Sequence, residues 1–559
     1  MKTVDRITIS VIQHRLESIV EEMGEAMLRT AYSQILNSSR DFSTAVFDGQ
    51  GRLAAQAEHV PLHVGALPFA VKAVREFFGD DIHPGDVFLL NDPYHGGNHL
   101  PDLTCFVPVF VEASDKPVFW TLNRAHQSDI GGATHGSYNP AATEIYQEGL
   151  RISPLKLVDR GNVREDVLHM ICTNVRHAHD FRGDLRAMIG SANGGAVRIG
   201  ALIAEYSVET VQAAIEEILD GTDRQTRACI SEWKDGVYEG ESILDDDGHG
   251  TENIRLHAVV TKKGDSLHVD LTGCDPQVKG IVNSSYANTV SAVHMALAFL
   301  IDPRTPKNEG AFRSIGLTTK PGTIAHPLEP APVTLSTNHP SQEICECVIK
   351  ALTGACPERA FAGWGRRYRI AIKGTNPRTG KDFIWHMFHA RPGGGASIEG
   401  DGWPGAGEVP SGGGLKFGST EVGEARFPLF FKKHEFRPDC AGDGKYRGGM
   451  GAILELRMET QEEGVANCAG DGRFHPPYGL LGGKPGLPHH YRKLSANGEE
   501  RVLKTKEVGV PVLPGDLFVL ESSGGGGYGN PSERDPAARA RDLENGFVTD
   551  KAATATSAG

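Results

Sequence analysis

The chain has 559 residues, a formal net charge of −14, 39% hydrophobic residues and 23% charged residues. This length and composition suit a globular protein of several domains or one large fold, and they exclude a disordered chain. The acidic balance argues against nucleic acid as a partner, because a face that binds nucleic acid is usually basic. No run of about 18 apolar residues occurs, so the sequence predicts no transmembrane helix.

The first 160 residues are predicted to combine helices with a mixed sheet. Apolar residues recur at close to 3.6-residue intervals over 7–32, which predicts a helix. Residues 42–48 and 53–57 alternate in polarity around Gly-Gln-Gly, which predicts a β-hairpin. The further predicted elements of this region are a helix over 64–78 and strands over 86–91, 104–112 and 117–123.

Composition changes towards the C-terminus. Residues 391–530 contain 32 of the 68 glycines, interleaved with alternating apolar segments, which predicts a turn-rich β region. The fold class is therefore α+β, a large mixed-sheet assembly with an N-terminal helix, a helical middle and a glycine-rich β region. The predicted regions are 1–160 (metal-site α+β), 161–240 (mainly helical), 241–390 (α+β, with strands near 254–261 and 267–273 and a buried helix over 284–300), 391–530 (glycine-rich β) and 531–559 (C-terminal helix and tail).

Several smaller motifs leave alternatives open. The glycine runs at 393–396, 412–414 and 524–529 could cradle phosphate with backbone N–H groups, although tight turns are favoured. The acidic segment 245–250 could bind a cation, but a solvated turn is favoured. Gly183 and the following Asp-Leu-Arg look like a helix start. No GxxxxGK[ST] phosphate-binding loop is present.

The nine cysteines and the N-terminal segment predict a cytoplasmic protein. The cysteines are odd in number and include no CxxC pair, which is typical of reduced thiols. The N-terminal segment carries acidic residues and lacks the apolar stretch of a signal peptide. Cys345 and Cys347 form a CxC that could ligate a metal, but core packing is the favoured interpretation.

Polar side chains in two loops form the strongest candidate metal site. His95, His99 and Asp102 follow the strand predicted over 86–91, and His126 and Asp129 lie where the strand predicted over 117–123 ends. Imidazole with carboxylate suits Zn²⁺, Mn²⁺ or Fe²⁺. A divalent metal with an open position lowers the pKa of bound water towards 7 and supplies a hydroxide nucleophile. On spacing alone, hydrogen bonds that fasten the loops are an equal alternative.

The chain resembles the hydantoinase B family at these loops and elsewhere. This family includes a subunit of ATP-dependent hydantoinases, part of the fused 5-oxoprolinases, caprolactamase, and related subunits of acetone and acetophenone carboxylases. The matching segments are Ser39–Ser43, Asp92–Asp102, Ala125–Gly132, Gln147–Arg151, Gly183–Ala187, Asn308–Arg313, Tyr446–Gly451, Gly482–Gly486 and Gly524–Pro531.

The resemblance implies one half of a hetero-oligomeric enzyme. A hydantoinase A-type partner uses ATP to phosphorylate the carbonyl oxygen of a small cyclic amide, and the B-type chain hydrolyses the activated species at a divalent metal. Asp41, which spacing alone would assign to strand capping or an arginine pair, becomes a ligand under this resemblance. The implied metal ligands are Asp41, His99, Asp102 and His126. The next position, often a second histidine in relatives, is Gln127 here and is not included.

Two carboxylates are candidates for the catalytic base. Asp129 or Glu148 is expected to take the proton of the attacking water. Either residue could instead orient His126 or Arg151 by a hydrogen bond, without contacting the metal itself.

Two other functions stay open at this point. The chain could be a subunit of an ATP-dependent ketone carboxylase of the acetone or acetophenone type, in which a phosphorylated ketone meets activated bicarbonate at the metal. It could also be a non-catalytic scaffold for the A-type partner, although intact His99, Asp102 and His126 argue against that role.

Overall fold

The computed structural model describes residues 4–549 except 58, 113, 413 and 417. Within these residues the chain forms four β-sheets with helices packed between and around them. The helices are α1 (Arg6–Thr30), α2 (Gln34–Asn37), α3 (Pro61–Gly65), α4 (Leu67–Phe78), α5 (Glu165–Thr173), α6 (Ala178–Tyr206), α7 (Val208–Ser231), α8 (Tyr286–Leu300), α9 (Ser341–Leu352), α10 (Thr420–Arg426) and α11 (Pro536–Glu544). The strands are β1 (Phe42–Asp48), β2 (Leu53–Ala57), β3 (Val87–Leu90), β4 (Asp102–Val109), β5 (Phe119–His126), β6 (Leu155–Asp159), β7 (Asn162–Val163), β8 (Gly236–Asp246), β9 (Glu252–Lys263), β10 (Ser266–Asp270), β11 (Ile315–Thr318), β12 (Tyr368–Asn376), β13 (Lys381–His386), β14 (Leu429–Phe436), β15 (Ala452–Met458), β16 (Gly464–Gly470), β17 (His490–Leu494), β18 (Glu500–Val502), β19 (Lys506–Val512) and β20 (Leu517–Glu521).

Sheet 1 has seven strands in the order β2-β1-β5-β4-β3-β6-β7, and its neighbouring strands are antiparallel. Its four central strands are buried along their whole length. Helix α4 covers one face, while α1, α6 and α7 contribute to the cores on the other. Burial on both faces explains why these strands carry long apolar runs instead of a strict polar alternation.

The predicted N-terminal elements are confirmed, with one correction. The hairpin has the predicted bounds, but the helix predicted over 64–78 is wrong as a single element, because α3 and α4 are separate helices. Gly65 lies against α8 so closely that an added Cβ would be 2.4 Å from Oγ of Ser291. Pro68 then occupies the first turn of α4, a position where proline favours a new helix.

Sheet 2 has the order β11-β10-β9-β8 and packs against α8 and α9. Its β10–β11 pair is parallel and its other pairs are antiparallel, so the fold is mixed as predicted. Strand β8 was not predicted. Two of its buried positions are Gly240 and Ser242, which break the apolar alternation: Gly240 approaches the backbone of α9, and Ser242 donates to Glu346 at 2.7 Å.

Two further expectations for the middle of the chain need correction. Gly183 and Asp184 lie inside α6, which begins at Ala178; Asp184 accepts hydrogen bonds from the backbone N–H groups of Tyr32 and Ser33. The acidic segment 245–250 is not simply a solvated turn, because Asp245 is buried. Its carboxylate accepts hydrogen bonds from three successive backbone N–H groups at 473–475.

Sheets 3 and 4 pack face to face as a sandwich around one apolar core. Sheet 3 has the order β13-β12-β16-β19, and sheet 4 has the order β14-β15-β20-β17-β18. Strands β12 and β13 precede residue 391 and join the strands of the glycine-rich region in this sandwich. The residue bounds given above for the five regions stay predictions.

Three glycine segments, Gly393–Gly395, Gly448–Gly449 and Gly524–Gly527, pack backbone against backbone, and we call them the glycine layer. An added Cβ on Gly395 would lie 1.8 Å from the carbonyl oxygen of Ala362, and one on Gly525 would lie 1.9 Å from that of Gly394. The N–H groups of residues 525–527 donate to backbone carbonyls. Close packing therefore accounts for the glycine run at 524–529. The amides of residues 525–527 are not available to cradle phosphate.

Helix α6 is the one described helix that is long and apolar enough to cross a membrane by length and composition alone. It packs against α1 and against β4 and β5 of sheet 1, with Phe181, Leu185 and Met188 in the core. All nine cysteines are unpaired. Cys345 and Cys347 are buried in the core against sheet 2. This position agrees with the core-packing interpretation of the CxC.

Candidate metal centre

The side chains of the candidate site come from the same end of three neighbouring strands. Asp102 begins β4 and His126 ends β5, and the two residues are direct partners in the antiparallel register. Asp41 immediately precedes β1, and its carbonyl oxygen accepts the backbone N–H of His126 at 3.0 Å. Sheet 1 therefore brings residues from three separate sequence segments to one edge.

His99 reaches the same place from the loop between β3 and β4. Its Nδ1 hydrogen-bonds the carbonyl oxygen of Thr334, and its Nε2 lies 2.8 Å from Oδ1 of Asp102. A carbonyl acceptor on one ring nitrogen fixes the tautomer that presents a lone pair from the other, as in metal-ligating histidines. A cation between Nε2 and the carboxylate would relieve the repulsion between these two lone-pair donors.

We call His99, Asp102 and His126 the metal cluster. Nδ1 of His126 lies 3.1 Å from the same oxygen of Asp102, and one potential ligand atom from each residue falls within 4.8 Å of the others. All three residues are buried.

Two pKa shifts place the metal cluster in a form that can bind a cation. Burial lowers the pKa of His126 and outweighs the opposing effect of Asp102. Burial alone would raise the pKa of Asp102, but His99 and His63 hold it well below its ordinary value. Neutral imidazole and ionised carboxylate are the forms that bind a divalent cation, so these residues fit the ion that the sequence predicts.

Asp41, the fourth predicted ligand, lies next to the metal cluster behind His63. Nε2 of His63 is 3.3 Å from Oδ2 of Asp102 and 3.7 Å from Oδ1 of Asp41. Among the described residues, Oδ2 of Asp41 and Nδ1 of His63 have no hydrogen-bond partner. A buried carboxylate oxygen is seldom left without a hydrogen bond, so Oδ2 of Asp41, which has an ion pair with Arg369 at 3.6 Å, is still able to accept a cation beside the cluster.

Tyr138 and Arg369 form the side of the site that faces sheet 3. The hydroxyl of Tyr138 is 3.5 Å from Nε2 of His126. Nη2 of Arg369 is 3.6 Å from Oδ2 of Asp41, and its guanidinium lies over the Tyr138 ring at 5.1 Å. The site is therefore enclosed between sheets 1 and 3.

The two predicted bases have different surroundings. Both oxygens of Asp129 accept hydrogen bonds, from Arg176 and from the backbone N–H groups of Gly131 and Gly136. Glu148 accepts the backbone N–H groups of residues 333 and 334 at 3.0 and 2.8 Å, beside the Thr334 carbonyl that holds His99. Burial raises the pKa of Glu148 to about 7.

Two neighbouring residues lie outside the site. His95 is exposed and hydrogen-bonds Asp92 at 2.7 Å, so its inclusion in the original candidate set is wrong. Gln127 is buried but directs its amide towards the carbonyl of Ala125 and the sulfur of Met188, in agreement with its exclusion from the ligand set.

Sequence reasoning missed His63, Tyr138 and Arg369. His63 belongs to a five-residue helix and follows no metal-ligand spacing. One available signal was the segment Arg366-Arg367-Tyr368-Arg369 at the start of a strand. Strands usually alternate apolar and polar residues, so three arginines in four positions are unusual there.

The chain matches the profile of a family described as Hydantoinase B/oxoprolinase over residues 5–531. It is 36% identical to caprolactamase subunit beta of Pseudomonas jessenii over 557 residues, which cover 98% of this chain and 95% of that protein. It is 27% identical to 5-oxoprolinase of Saccharomyces cerevisiae over 94% of this chain and 42% of that longer protein.

Two solved structures share the fold. The crystal structure of the ATP-dependent caprolactamase from Pseudomonas jessenii superposes with a TM-score of 0.93, at 36% identity, over 99% of this chain and 96% of that one. The nucleotide-free structure of acetone carboxylase gives a TM-score of 0.89 at 20% identity, over 98% of this chain and 78% of that one. These matches confirm the resemblance and the α+β architecture that the sequence predicted.

Proposed function

Because the chain belongs to the hydantoinase B/oxoprolinase family, we propose that it is the metal-dependent B-type subunit of an ATP-dependent enzyme that hydrolyses a cyclic amide. An A-type partner would phosphorylate the amide, and the two chains would form a hetero-oligomer. The names of the relatives, a caprolactamase subunit and a 5-oxoprolinase, support this substrate class. The observation that carries the proposal is the convergence of His99, Asp102 and His126 in one buried cluster.

Phosphorylation makes chemical sense because an amide is a poor electrophile. Transfer of the ATP γ-phosphoryl group to the carbonyl oxygen gives an imidate phosphate and ADP. Water then adds to the carbon, and expulsion of the ring nitrogen as an amine leaves an acyl phosphate. A second water converts the acyl phosphate into a carboxylate and inorganic phosphate, so one ATP and two waters are used for each ring opened.

The residues of this chain would bind, orient and deprotonate. His99, Asp102 and His126 would hold a divalent ion, Zn²⁺, Mn²⁺ or Fe²⁺, and Asp41 would complete the set. The chemistry that such an ion supplies when bound is Lewis acidity, which lowers the pKa of a coordinated water and stabilises negative charge on oxygen.

Both candidate bases accept backbone N–H groups on both carboxylate oxygens, and we favour Glu148 because of its pKa. Its pKa near 7 suits a group that takes and returns a proton at neutral pH. Asp129 is held by Arg176 and two backbone N–H groups, so we assign it to positioning the loop that follows His126.

We also place the enzyme in the cytoplasm. The nine unpaired cysteines would stay reduced there, and ATP would be available to the partner.

The test is a substrate panel with the chain reconstituted with its A-type partner. Phosphate release should require ATP, the partner and a cyclic amide (a hydantoin, 5-oxoproline or a lactam), and ring-opened product should appear in equal amount. Acetone or acetophenone with bicarbonate forms the second arm of the panel. Ring opening without ATP, or phosphate release that follows the ketone and bicarbonate instead, would overturn the proposal.

A further inference from the structure

Two buried arginines point from sheet 3 towards the metal cluster. Arg367 and Arg369 alternate with Tyr368 and Ile370, and alternate residues of a strand face opposite sides. Tyr368 and Ile370 enter the sandwich core, whereas the Arg369 guanidinium lies beside Asp41. The exposed fractions of Arg367 and Arg369 are only 4% and 6%.

The two guanidinium groups share one aromatic neighbour. Both lie over the ring of Phe388, with Arg367 at 5.0 Å and Arg369 at 5.5 Å from its centroid. Arg367 has one carboxylate partner, Glu408, at 2.9 Å, and Arg369 approaches Asp41 at 3.6 Å. The like charges of these two buried groups repel each other, and an anion bound by both would offset that repulsion.

Much of their hydrogen-bonding capacity is unused. Within the part of the chain that the structure describes, Nε and Nη2 of Arg367 and Nε and Nη1 of Arg369 have no acceptor. Arg124, equally buried, contrasts with them: its three nitrogens donate to Thr104, to the carbonyl of His63 and to that of Gly96. A buried donor without an acceptor is costly, so the free nitrogens of Arg367 and Arg369 mark a place for a ligand with several acceptor oxygens.

The charge balance agrees with this arrangement. Burial lowers the pKa of Arg367, Glu408 opposes the effect and Arg369 adds to it. Burial would raise the pKa of Glu408, but Arg367, Arg391 and Arg369 outweigh it and lower that pKa to about 2. The Glu408 carboxylate is thus ionised, and it pairs with only one of the two arginines, Arg367.

We propose that Arg367 and Arg369 form an oxyanion subsite that binds the phosphoryl group of the activated substrate beside the metal cluster. The planar guanidinium fork matches two oxygens of a phosphoryl group. The position of Arg369 next to Asp41 would hold the carbon that carries the phosphorylated oxygen within reach of the metal cluster. This inference rests on the proposed function, because it takes the ligand to be the phosphorylated amide.

The first experiment measures phosphate binding to the full-length chain loaded with Zn²⁺, by titration calorimetry with inorganic phosphate. Arg367→Met should weaken binding at least tenfold, and Arg367→Lys, which keeps the charge but loses the fork, should weaken it by a smaller factor. The matched control is Arg304→Met, because the Arg304 side chain is 89% exposed on the surface. The zinc content of all three variants should equal that of the wild type, since Arg367 contacts Glu408 and not the cluster.

Acetate and bicarbonate provide the arms that separate phosphoryl from carboxylate recognition. Both should bind more weakly than phosphate, and Arg367→Met should change their binding less. If Arg367→Met does not fold, the same comparison is made with Arg367→Lys. No phosphate binding by the wild type, equal affinity in the arginine variants, or acetate or bicarbonate binding as tight as phosphate would each overturn the subsite.

Failure of the proposed function has a different signature. In that case the reconstituted pair would open no cyclic amide, while phosphate binding would still depend on Arg367. If only the subsite is wrong, ring opening with ATP would persist in Arg367→Met with an unchanged KM for the cyclic amide.

Discussion

Two buried ionic clusters of this chain differ in how completely their polar atoms are paired. We call Glu346, Arg366, Asp471 and Lys506 the Arg366 network; it joins sheets 2 and 3. Asp471 accepts from Arg366 at 3.1 Å, from Lys506 at 3.0 Å and from backbone N–H groups. Beside the metal cluster, by contrast, Oδ2 of Asp41, Nδ1 of His63 and two nitrogens of Arg369 have no hydrogen-bond partner among the described residues, whereas Nε of Arg366 is the one such atom in the Arg366 network.

The difference separates a structural role from a functional one. Charges that for the most part satisfy one another leave little for a ligand and hold two sheets together. Donors and acceptors that stay open in a buried place indicate a missing partner. The following predictions test whether the two clusters are distinct in this sense.

The largest effect is expected at the metal cluster. His99→Ala removes a ligand, so bound metal should fall below about a tenth of an equivalent and ATP-dependent ring opening by at least roughly 10³-fold. Metal analysis by mass spectrometry and a phosphate-release assay measure the two quantities. His95→Ala, four residues earlier and exposed, is the matched control and should behave as wild type. Full metal content in His99→Ala would contradict the assignment.

The Arg366 network should show the opposite pattern. Asp471→Asn removes the buried carboxylate that Arg366 and Lys506 share, which should lower the free energy of unfolding by about 3–5 kcal/mol. Urea denaturation measures this loss, and the metal content of the folded variant should not change. Asp382→Asn, which removes a surface pair with Lys373, should cost less than about 1 kcal/mol. Equal losses in the two variants would contradict the comparison.

Glu148→Gln distinguishes a base from a positioning residue. We expect kcat to fall about 10²-fold with full metal occupancy. Burial raises the pKa of Glu148 to about 7, and only the ionised form accepts a proton. The wild-type rate should therefore rise as pH increases through about 7, and this rise should vanish in the variant. A variant that keeps the rise but binds metal weakly would make Glu148 a support for His99.

The smallest effect is expected for Cys345→Ala. The thiol is buried in the apolar core against sheet 2, and burial raises its pKa well above the ordinary value. Loss of one buried sulfur should cost about 1 kcal/mol and leave the metal content unchanged. A loss of bound metal in this variant would revive the CxC as a ligand pair.

The periodicity of apolar residues predicted those elements that depend on contacts with segments close to them in the sequence. Helix α1 and the β1–β2 hairpin follow directly from their periodicity. The metal cluster was predictable for a related reason: Asp102 and His126 belong to consecutive antiparallel strands, and His99 lies in the turn that enters the first of them. Asp41 needed the family resemblance, because nothing local links it to that pair.

What could not be predicted depends on how distant segments pack. Arg369 reaches Asp41 only because sheet 3 lies against the edge of sheet 1, and no periodicity encodes that contact. Gly65, at the end of α3, lies against Ser291 of α8, more than 200 residues further along the chain. Both features are set by tertiary packing, which overrides local preference.

The glycine layer has a consequence for how this protein can change. At Gly395 and Gly525 even a methyl group would overlap a carbonyl oxygen of another segment, so alanine is excluded for steric reasons. A saturation library selected for folded protein should recover only glycine at these positions, while the exposed Trp403 nearby should accept many residues. Substitutions that alter substrate range must therefore arise around this layer and not within it.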